Sequence, residues 1–429
     1  MLNKKKSYLI PIIGFAIIIL ISSLMLYSPL LNYKYISYKD AMFTAISALT
    51  TTGYTKGPIV SQFNFAGQVV LAILMEIGAL GFIIFISYIW SIKDKKFKMS
   101  DIIVISDNIS TNKYGSIKKH SIFIVKLMIY VQLIGTILFS FKFIPLLGFF
   151  KGIWYSIFHT ISAFSNTGMD LFGSNSLYIF KYDTYIQFIF IIIMLTGSIG
   201  IFVIEDLISN KTKKFEKLRL QTKIIVISTI ILLLVPTIFF KLVEPETTII
   251  NCLFMSMTAR STGFSVVNLN DFSTESKVVL MILMIIGGSP TSTGGGVKMI
   301  SIALIFATII ATLRGKNETI IFWKKVPDLT IKKAFTIFML FVFILFITNL
   351  VFIHYNNLKA LNSLFENISA ITNTGLSISN LNSLNLVEEI IIMLLMFIGR
   401  VGPLSVILAF VREDKKNKYI KYPVEDLFL

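Results

Sequence analysis

A chain of 429 residues that is 55% hydrophobic and only 15% charged, with a mean hydropathy of +0.78, carries more apolar side chain than a water-soluble core can bury, which excludes an ordinary soluble enzyme or binding module. The formal charge of +17 would suit nucleic acid in a soluble protein. Here, however, 27 of the 40 Lys and Arg fall in segments 1–6, 93–119, 205–223, 314–333 and 412–429, the pattern of cytoplasmic loops, so no nucleic-acid partner is expected. A single cysteine, Cys252, excludes an intramolecular disulfide and reads as a packed thiol.

In chain order, the basic start 1–6 leads into an apolar run, 7–27, about twice the length of a signal-peptide core and without a small-residue cleavage site; it reads as a retained first helix. Further apolar runs follow at 68–92, 123–141, 186–204, 224–240, 278–310, 335–353 and 387–411, each approaching the ~20 residues that span a bilayer. The run 278–310 contains a Gly-rich break. Eight crossings with basic segments at both ends place both termini in the cytoplasm of a multi-pass cell-membrane protein.

The four linkers from outward to inward legs are then external, and each carries a related string: SALTTTG at 47–53, SAFSNTG at 162–168, TARSTG at 258–263 and SAITNTG at 369–375, the third being one residue shorter. Apolar stretches at 38–48, 154–163, 249–257 and 361–370 precede these strings and are too short to cross, which fits re-entrant half-helices. A second landmark, Gly78, Gly197, Gly287 and Gly399, falls 25, 29, 24 and 24 residues after the Thr-Gly glycines, so two landmarks recur in register. Copies one, two and four add Gly81, Gly200 and Gly402, on a face where another backbone could approach closely, and copy three has Pro290 there.

The expected fold is therefore an all-α membrane protein of four pseudo-symmetric repeats around one central pore, each an outward helix, a short pore helix, a polar turn and an inward helix. The repeats span 1–93, 94–206, 207–313 and 314–411, followed by a cytoplasmic tail, 412–429. It contains eight transmembrane helices plus four re-entrant ones.

Polar turns at membrane depth leave backbone groups unsatisfied unless they line a wet cavity or bind an ion. A potassium ion shedding its water wants many oxygen ligands of moderate field strength, which rings of backbone carbonyls supply without charged side chains. The string GGSPTSTGGGVK at 287–298 cannot stay helical with Pro290 and five glycines. It is not a phosphate loop, because Val297 separates Gly296 from Lys298, and no nucleotide is expected on this chain. A broken helix below the turns could close the conduit with a flexible polar loop.

Arg400 is a charge within an apolar run and is expected either to touch this loop or cavity and tune cation passage, or to snorkel to the headgroups. Arg260, beside the third turn, would repel a cation and is expected to point behind it, bonded to a carbonyl or an acid. Asp40, Asp170, Asp271 and Glu366 flank the outer side and are candidates for concentrating cations. Glu76, His120, His159 and His354 have no metal or catalytic spacing.

At these residues, from 7 to about 412, the chain resembles the bacterial Trk/Ktr potassium-transporter superfamily, and its length is more similar to the KtrB branch. The resemblance implies a potassium filter of Thr51, Thr52 and Gly53; Asn166, Thr167 and Gly168; Ser261, Thr262 and Gly263; and Asn373, Thr374 and Gly375. In that family a glycine in the first turn goes with potassium and a serine there with sodium in some plant relatives, so Gly53 points to potassium. The segment 287–298 corresponds to an intramembrane gate, here Gly287, Gly288, Pro290, Thr293, Gly294, Gly295, Gly296 and Lys298, with Arg400 nearby. Also implied are potassium as the transported ion, sodium as a candidate activator, a homodimer in lipid, and a cytosolic nucleotide-binding partner of the KtrA type. The segments 93–119 and 324–333 and the tail from 412 are candidate docking sites for that partner.

A membrane enzyme would need paired carboxylates, a His cluster or a nucleophile with its base, and the crossings offer none. A proton- or sodium-coupled secondary carrier with inverted repeats is the alternative transporter, but these repeats run parallel and lack intramembrane relays.

Overall fold

The computed structural model describes residues 4–81, 114–173, 176–210, 214–290, 292–355, 360–403 and 405–406. Residues 93–113 and the tail 412–429, both expected to be cytoplasmic, lie outside that set. The same succession of elements occurs four times. Unit 1 holds α1 (Lys4–Tyr27), the short α2 (Tyr38–Leu49) and α3 (Phe65–Leu80). Unit 2 holds α4 (Tyr114–Leu147), the short α5 (Phe149–Phe164), then α6 (Thr184–Ser198) and α7 (Ile201–Ser209). Unit 3 holds α8 (Leu220–Val243), the short α9 (Ile249–Thr258), then α10 (Thr274–Ile285) and α11 (Met299–Leu313). Unit 4 holds α12 (Asp328–Tyr355), the short α13 (Ala360–Ile371) and α14 (Leu386–Val401). A two-stranded antiparallel hairpin, β1 (Ile320–Ile321) with β2 (Lys324–Lys325), joins units 3 and 4.

Helix starts are set by local chemistry. The side chains of Asn64, Asp183, Ser273 and Asn385 each accept a backbone N–H in the first turn of α3, α6, α10 and α14, satisfying donors that a helix otherwise leaves orphaned. Each of these caps lies 14 residues before its second-landmark glycine, Gly78, Gly197, Gly287 or Gly399. The inward legs are thus in strict register, and the uneven spacing in the sequence comes entirely from the linkers between turn and cap.

Apolar side chains face outward and polar ones inward. Leu133, Ile137 and Phe141 of α4, Leu234 and Ile238 of α8, and Phe343 and Phe346 of α12 are exposed, while Thr, Ser and Asn of the short helices and turns are buried. That inversion is stable in lipid and not in water. Helix α8, helix α12 and Ser121–Leu147 of α4 are long and apolar enough to cross a membrane, and α6 with α7 would make a fourth span were they not bent by 93°.

The inward legs differ from continuous crossings. From cap to first break they run 12 to 16 residues: α3 ends at Gly81, α6 before Gly200, α10 before Gly287 and α14 at Gly402. Gly81, Gly200 and Gly402 have φ of 71°, 89° and 93° and each ends a helix; the close approach expected of them occurs at Gly200, where a Cβ would lie 2.0 Å from Ser289 Oγ and 2.8 Å from the Pro290 carbonyl oxygen, and not at Gly81 or Gly402. The first glycine of each pair is closely approached as well. A Cβ on Gly78, Gly197 or Gly399 would lie 2.2, 2.1 or 2.0 Å from the carbonyl oxygen of Leu49, Phe164 or Ile371, the last residue of that unit's short helix.

Packing closes the four units into a cycle. Each short helix lies against the inward leg of the preceding unit: α5 on α3, α9 on α6, α13 on α10, and α2 on α14. The last contact joins unit 4 back to unit 1. Across the same seam Glu389, fully buried at the start of α14, pairs with Lys39 of α2 at 2.6 Å and with Lys56, which also holds Asp40 at 2.8 Å.

Candidate functional site: a ring of four turns against an irregular loop

Each short helix ends at a turn of unusual backbone. Thr51, Asn166, Ser261 and Asn373 all have positive φ (55°, 54°, 74° and 52°), and so do Gly53, Gly168, Gly263 and Gly375 two residues later (87°, 78°, 88° and 82°). Four non-glycine residues held in the left-handed region at equivalent positions is a costly arrangement that persists only where its surroundings over-determine it. Part of what fixes it is a backbone bond: the N–H of Thr52, Thr167 and Thr374 donates to the carbonyl of Ser47, Ser162 and Ser369, each at 2.9 Å. In unit 3 the N–H of Thr262 reaches Thr258, four residues back rather than five, which absorbs the missing residue of that string.

The turns meet in a closed ring. A Cβ on Gly53 would sit 1.8 Å from the carbonyl oxygen of Thr167, on Gly168 2.0 Å from that of Thr262, on Gly263 2.2 Å from that of Thr374, and on Gly375 1.9 Å from that of Thr52. Every glycine therefore faces the threonine carbonyl of the next unit, and the order runs 1, 2, 3, 4 and back to 1. All twelve turn residues singled out in the sequence meet here.

The hydroxyls repeat as well. Thr50 pairs with Thr52 at 2.8 Å, Ser165 with Thr167 at 2.7 Å, and Thr372 with Thr374 at 2.8 Å. Two asparagines stitch across units: the Asn373 amide donates to Thr52 Oγ1 at 3.0 Å, and the Asn166 amide is bonded to Thr262 Oγ1 at 3.2 Å.

Directly against this ring lies the irregular segment between α10 and α11. Its ends pair as a short parallel bridge, Ile286 with Val297, with the Gly287 N–H donating to the Val297 carbonyl at 3.0 Å. The rest is seated on carbonyls freed by the break in unit 2: Thr293 N–H donates to Gly197 at 3.2 Å, Ser289 N–H to Ser198 at 3.1 Å, and Ser289 Oγ to Ile199 at 2.6 Å. Thr293 Oγ1 donates to the Phe164 carbonyl at 3.1 Å and is bonded to the Asn166 amide at 2.9 Å. A Cβ on Gly295 would lie 2.4 Å from the Thr372 carbonyl oxygen, and one on Gly294 3.5 Å from Ser261. Lys298 donates to the Gly294 carbonyl at 2.7 Å. Arg400 turns inward rather than toward headgroups: its guanidinium donates to the carbonyls of Thr293 and Gly78, and to that of Ala79 at 3.3 Å. The loop thus touches turn residues of units 2, 3 and 4 and is tied to unit 1 through Arg400.

Two expectations need correction. Glu366 is not an outer acid. It is fully buried, and its carboxylate accepts bonds from the Tyr54 hydroxyl at 2.8 Å, Ser377 Oγ at 2.8 Å, Ile378 N–H at 2.9 Å and Ser379 N–H at 3.0 Å. Arg260 is also fully buried, yet its guanidinium bonds neither a carbonyl nor an acid among the described residues. Asp40 is engaged by Lys56 and Ser37, and Asp170 accepts the Phe172 N–H, whereas Asp271 is exposed. His159 is held in place by Tyr155 and by the Leu171 N–H, bonded to both ring nitrogens. The Tyr54–Glu366 and Lys56–Glu389 pairs escaped sequence reading. Their only signal was an acidic residue set among apolar ones, Glu366 in mid-helix and Glu389 at a helix start.

Comparison with known proteins agrees with this architecture. The family model described as TrkH, "Cation transport protein", matches residues 5–422. The chain is 31% identical to the Ktr system potassium uptake protein B of Bacillus subtilis over 97% of its own length and 95% of that protein's. It is 30% identical to the potassium/sodium uptake protein NtpJ of Enterococcus hirae over the same shares. The crystal structure of the potassium transporter TrkH from Vibrio parahaemolyticus superposes with a TM-score of 0.76 at 17% identity, covering 96% of this chain and 86% of that one. With its family model matched almost end to end and its fold shared, the chain belongs to the TrkH family of cation-transport proteins, which are membrane transporters and not enzymes.

Proposed function

We propose that this chain is the ion-translocating subunit of a Ktr/Trk-type system that takes up potassium across the cell membrane. The observation that carries the reading is the closed ring in which each turn glycine faces the next unit's threonine carbonyl. Such a ring offers oxygens from all four repeats, 1–93, 94–206, 207–313 and 314–411, to a dehydrating cation, and the hydroxyl and asparagine bonds behind it hold the ring's size. The 287–298 loop pressed against the ring acts as the gate. It is held shut by Arg400 and by the carbonyls of the unit 2 break, and it opens when those bonds are exchanged for water.

The chain works as a homodimer in lipid with both termini in the cytoplasm. A cytosolic nucleotide-binding subunit of the KtrA type docks on the basic segments, among them the hairpin that exposes Lys324 and Lys325. Sodium acts as an activator in this reading.

Uptake in cells stripped of their own potassium systems tests this. Expression with the partner subunit is expected to restore growth at low potassium, and failure with the protein in the membrane would contradict it. In the same cells Arg400→Ala should raise Rb+ flux roughly tenfold, the shift a two-state gate shows on losing one charge-assisted bond of ~1.5 kcal/mol. Unchanged flux through a normally inserted variant would remove the gate assignment.

A further inference from the structure

The turn of unit 3 departs from the other three at one chemically decisive position. Three residues before the turn glycine stand Thr50, Ser165 and Thr372 in units 1, 2 and 4, each bonded through its hydroxyl to the following turn threonine. In unit 3 that place is taken by Arg260. Thr262 consequently has no hydroxyl partner within its own unit and turns to Asn166 of unit 2. Arg260 is completely buried, its three guanidinium nitrogens have no hydrogen-bond partner among the described residues, and no carboxylate there pairs with it. Guanidinium does not give up its proton under working conditions, so the charge is permanent.

Burying an uncompensated charge is expensive, and the other three units place a neutral hydroxyl at this position. The placement has a consequence for the ring. A fixed positive charge one residue from Ser261, in surroundings of low dielectric, raises the energy of any cation held by the adjacent carbonyls. A conduction site must bind strongly enough to strip water from the ion and weakly enough to let it go.

We propose that Arg260 is an internal counter-charge that lowers the cation affinity of the ring on its unit 3 side and so sets the rate at which the ion leaves toward the loop. The proposal rests on the reading of the ring as a cation filter, and it makes Arg260 a positioning charge rather than an ion ligand.

Rb+ uptake at graded concentrations, measured on wild type, Arg260→Ser, Arg260→Gln and Arg260→Lys, tests it. Arg260→Ser supplies the hydroxyl that the other units use, and Arg260→Gln keeps much of the volume without the charge. Both are expected to lower the KM for Rb+ about tenfold and to lower the maximal rate, as removal of one nearby buried charge would. Arg260→Lys keeps the charge and should shift KM less than either. A second readout, the Rb+ concentration giving half-maximal thermal stabilisation of the purified protein, should fall in the same order without depending on the gate. Should Arg260→Ser not fold, Arg260→Gln against Arg260→Lys still decides. Wild-type KM in a folded neutral variant, or equal shifts for Lys and Gln, would overturn the proposal while leaving the filter reading intact. Absence of Rb+ flux in wild type with its partner would instead remove the filter reading and the proposal together.

Discussion

Gly168→Ala is expected to abolish cation flux, with Rb+ uptake falling about a hundredfold or more at unchanged membrane abundance. The residue has φ of +78°, where an L side chain is strained by roughly 1–2 kcal/mol. The larger effect is steric. The added Cβ would lie 2.0 Å from the carbonyl oxygen of Thr262 and 3.0 Å from the carbonyl carbons of Thr262 and Gly263, all backbone atoms that cannot rotate away. The ring must therefore open between units 2 and 3, and a barrier raised by about 2.7 kcal/mol already gives a hundredfold loss. Gly57 provides the control: it lies four residues past Gly53, and a Cβ there meets nothing within 4 Å, so Gly57→Ala should transport normally. Uptake by Gly168→Ala within twofold of wild type would show that the glycine-to-carbonyl contacts do not hold the conduction path.

Glu366→Ala is expected to be the most destabilising single change in the scaffold behind the ring, costing about 3–5 kcal/mol, because four donors converge on its carboxylate, the Tyr54 hydroxyl and the Ile378 N–H among them fully buried. Tyr54, the residue after Gly53, and the segment Ser377–Ser379, just past Gly375, converge on that one carboxylate. It therefore locks the backs of the first and fourth turns together across their seam. Tyr54→Phe removes one hydroxyl, shared between the carboxylate at 2.8 Å and the Leu376 carbonyl at 3.2 Å, and should cost about 1 kcal/mol. Thermal melts in detergent separate the two. A Glu366→Ala melting point equal to that of Tyr54→Phe would show that the carboxylate is not the shared anchor.

Much of this was legible in the residues. The Thr-Gly strings and the downstream glycines are local signals, since each marks a backbone conformation that glycine adopts readily. Pro290 with five glycines announced an unwound segment because no helix tolerates them. What periodicity could not give was partnership over distance. Tyr54 and Glu366 lie 312 positions apart, and nothing in either neighbourhood names the other.

Glu366 was read as an outer acid because it lies on the outer side of the chain's path, but burial on a short helix facing a neighbouring turn decides its role. The breaks at Gly81, Gly200 and Gly402 were hidden for a related reason. The apolar runs continue unbroken through them, and hydropathy records composition but not φ. The fixed 14-residue spacing from cap to glycine was present in the sequence, obscured by counting from the turn across linkers of unequal length.

In the proposed function a single cation path runs through the ring of four turns. Anomalous scattering from crystals of the protein soaked in Rb+ tests it most directly. Density is expected on the pseudo-fourfold axis, in contact with the carbonyl oxygens of Thr52, Thr167, Thr262 and Thr374. Density confined to other parts of the molecule, with the axis empty in crystals of a transport-active protein, would contradict it.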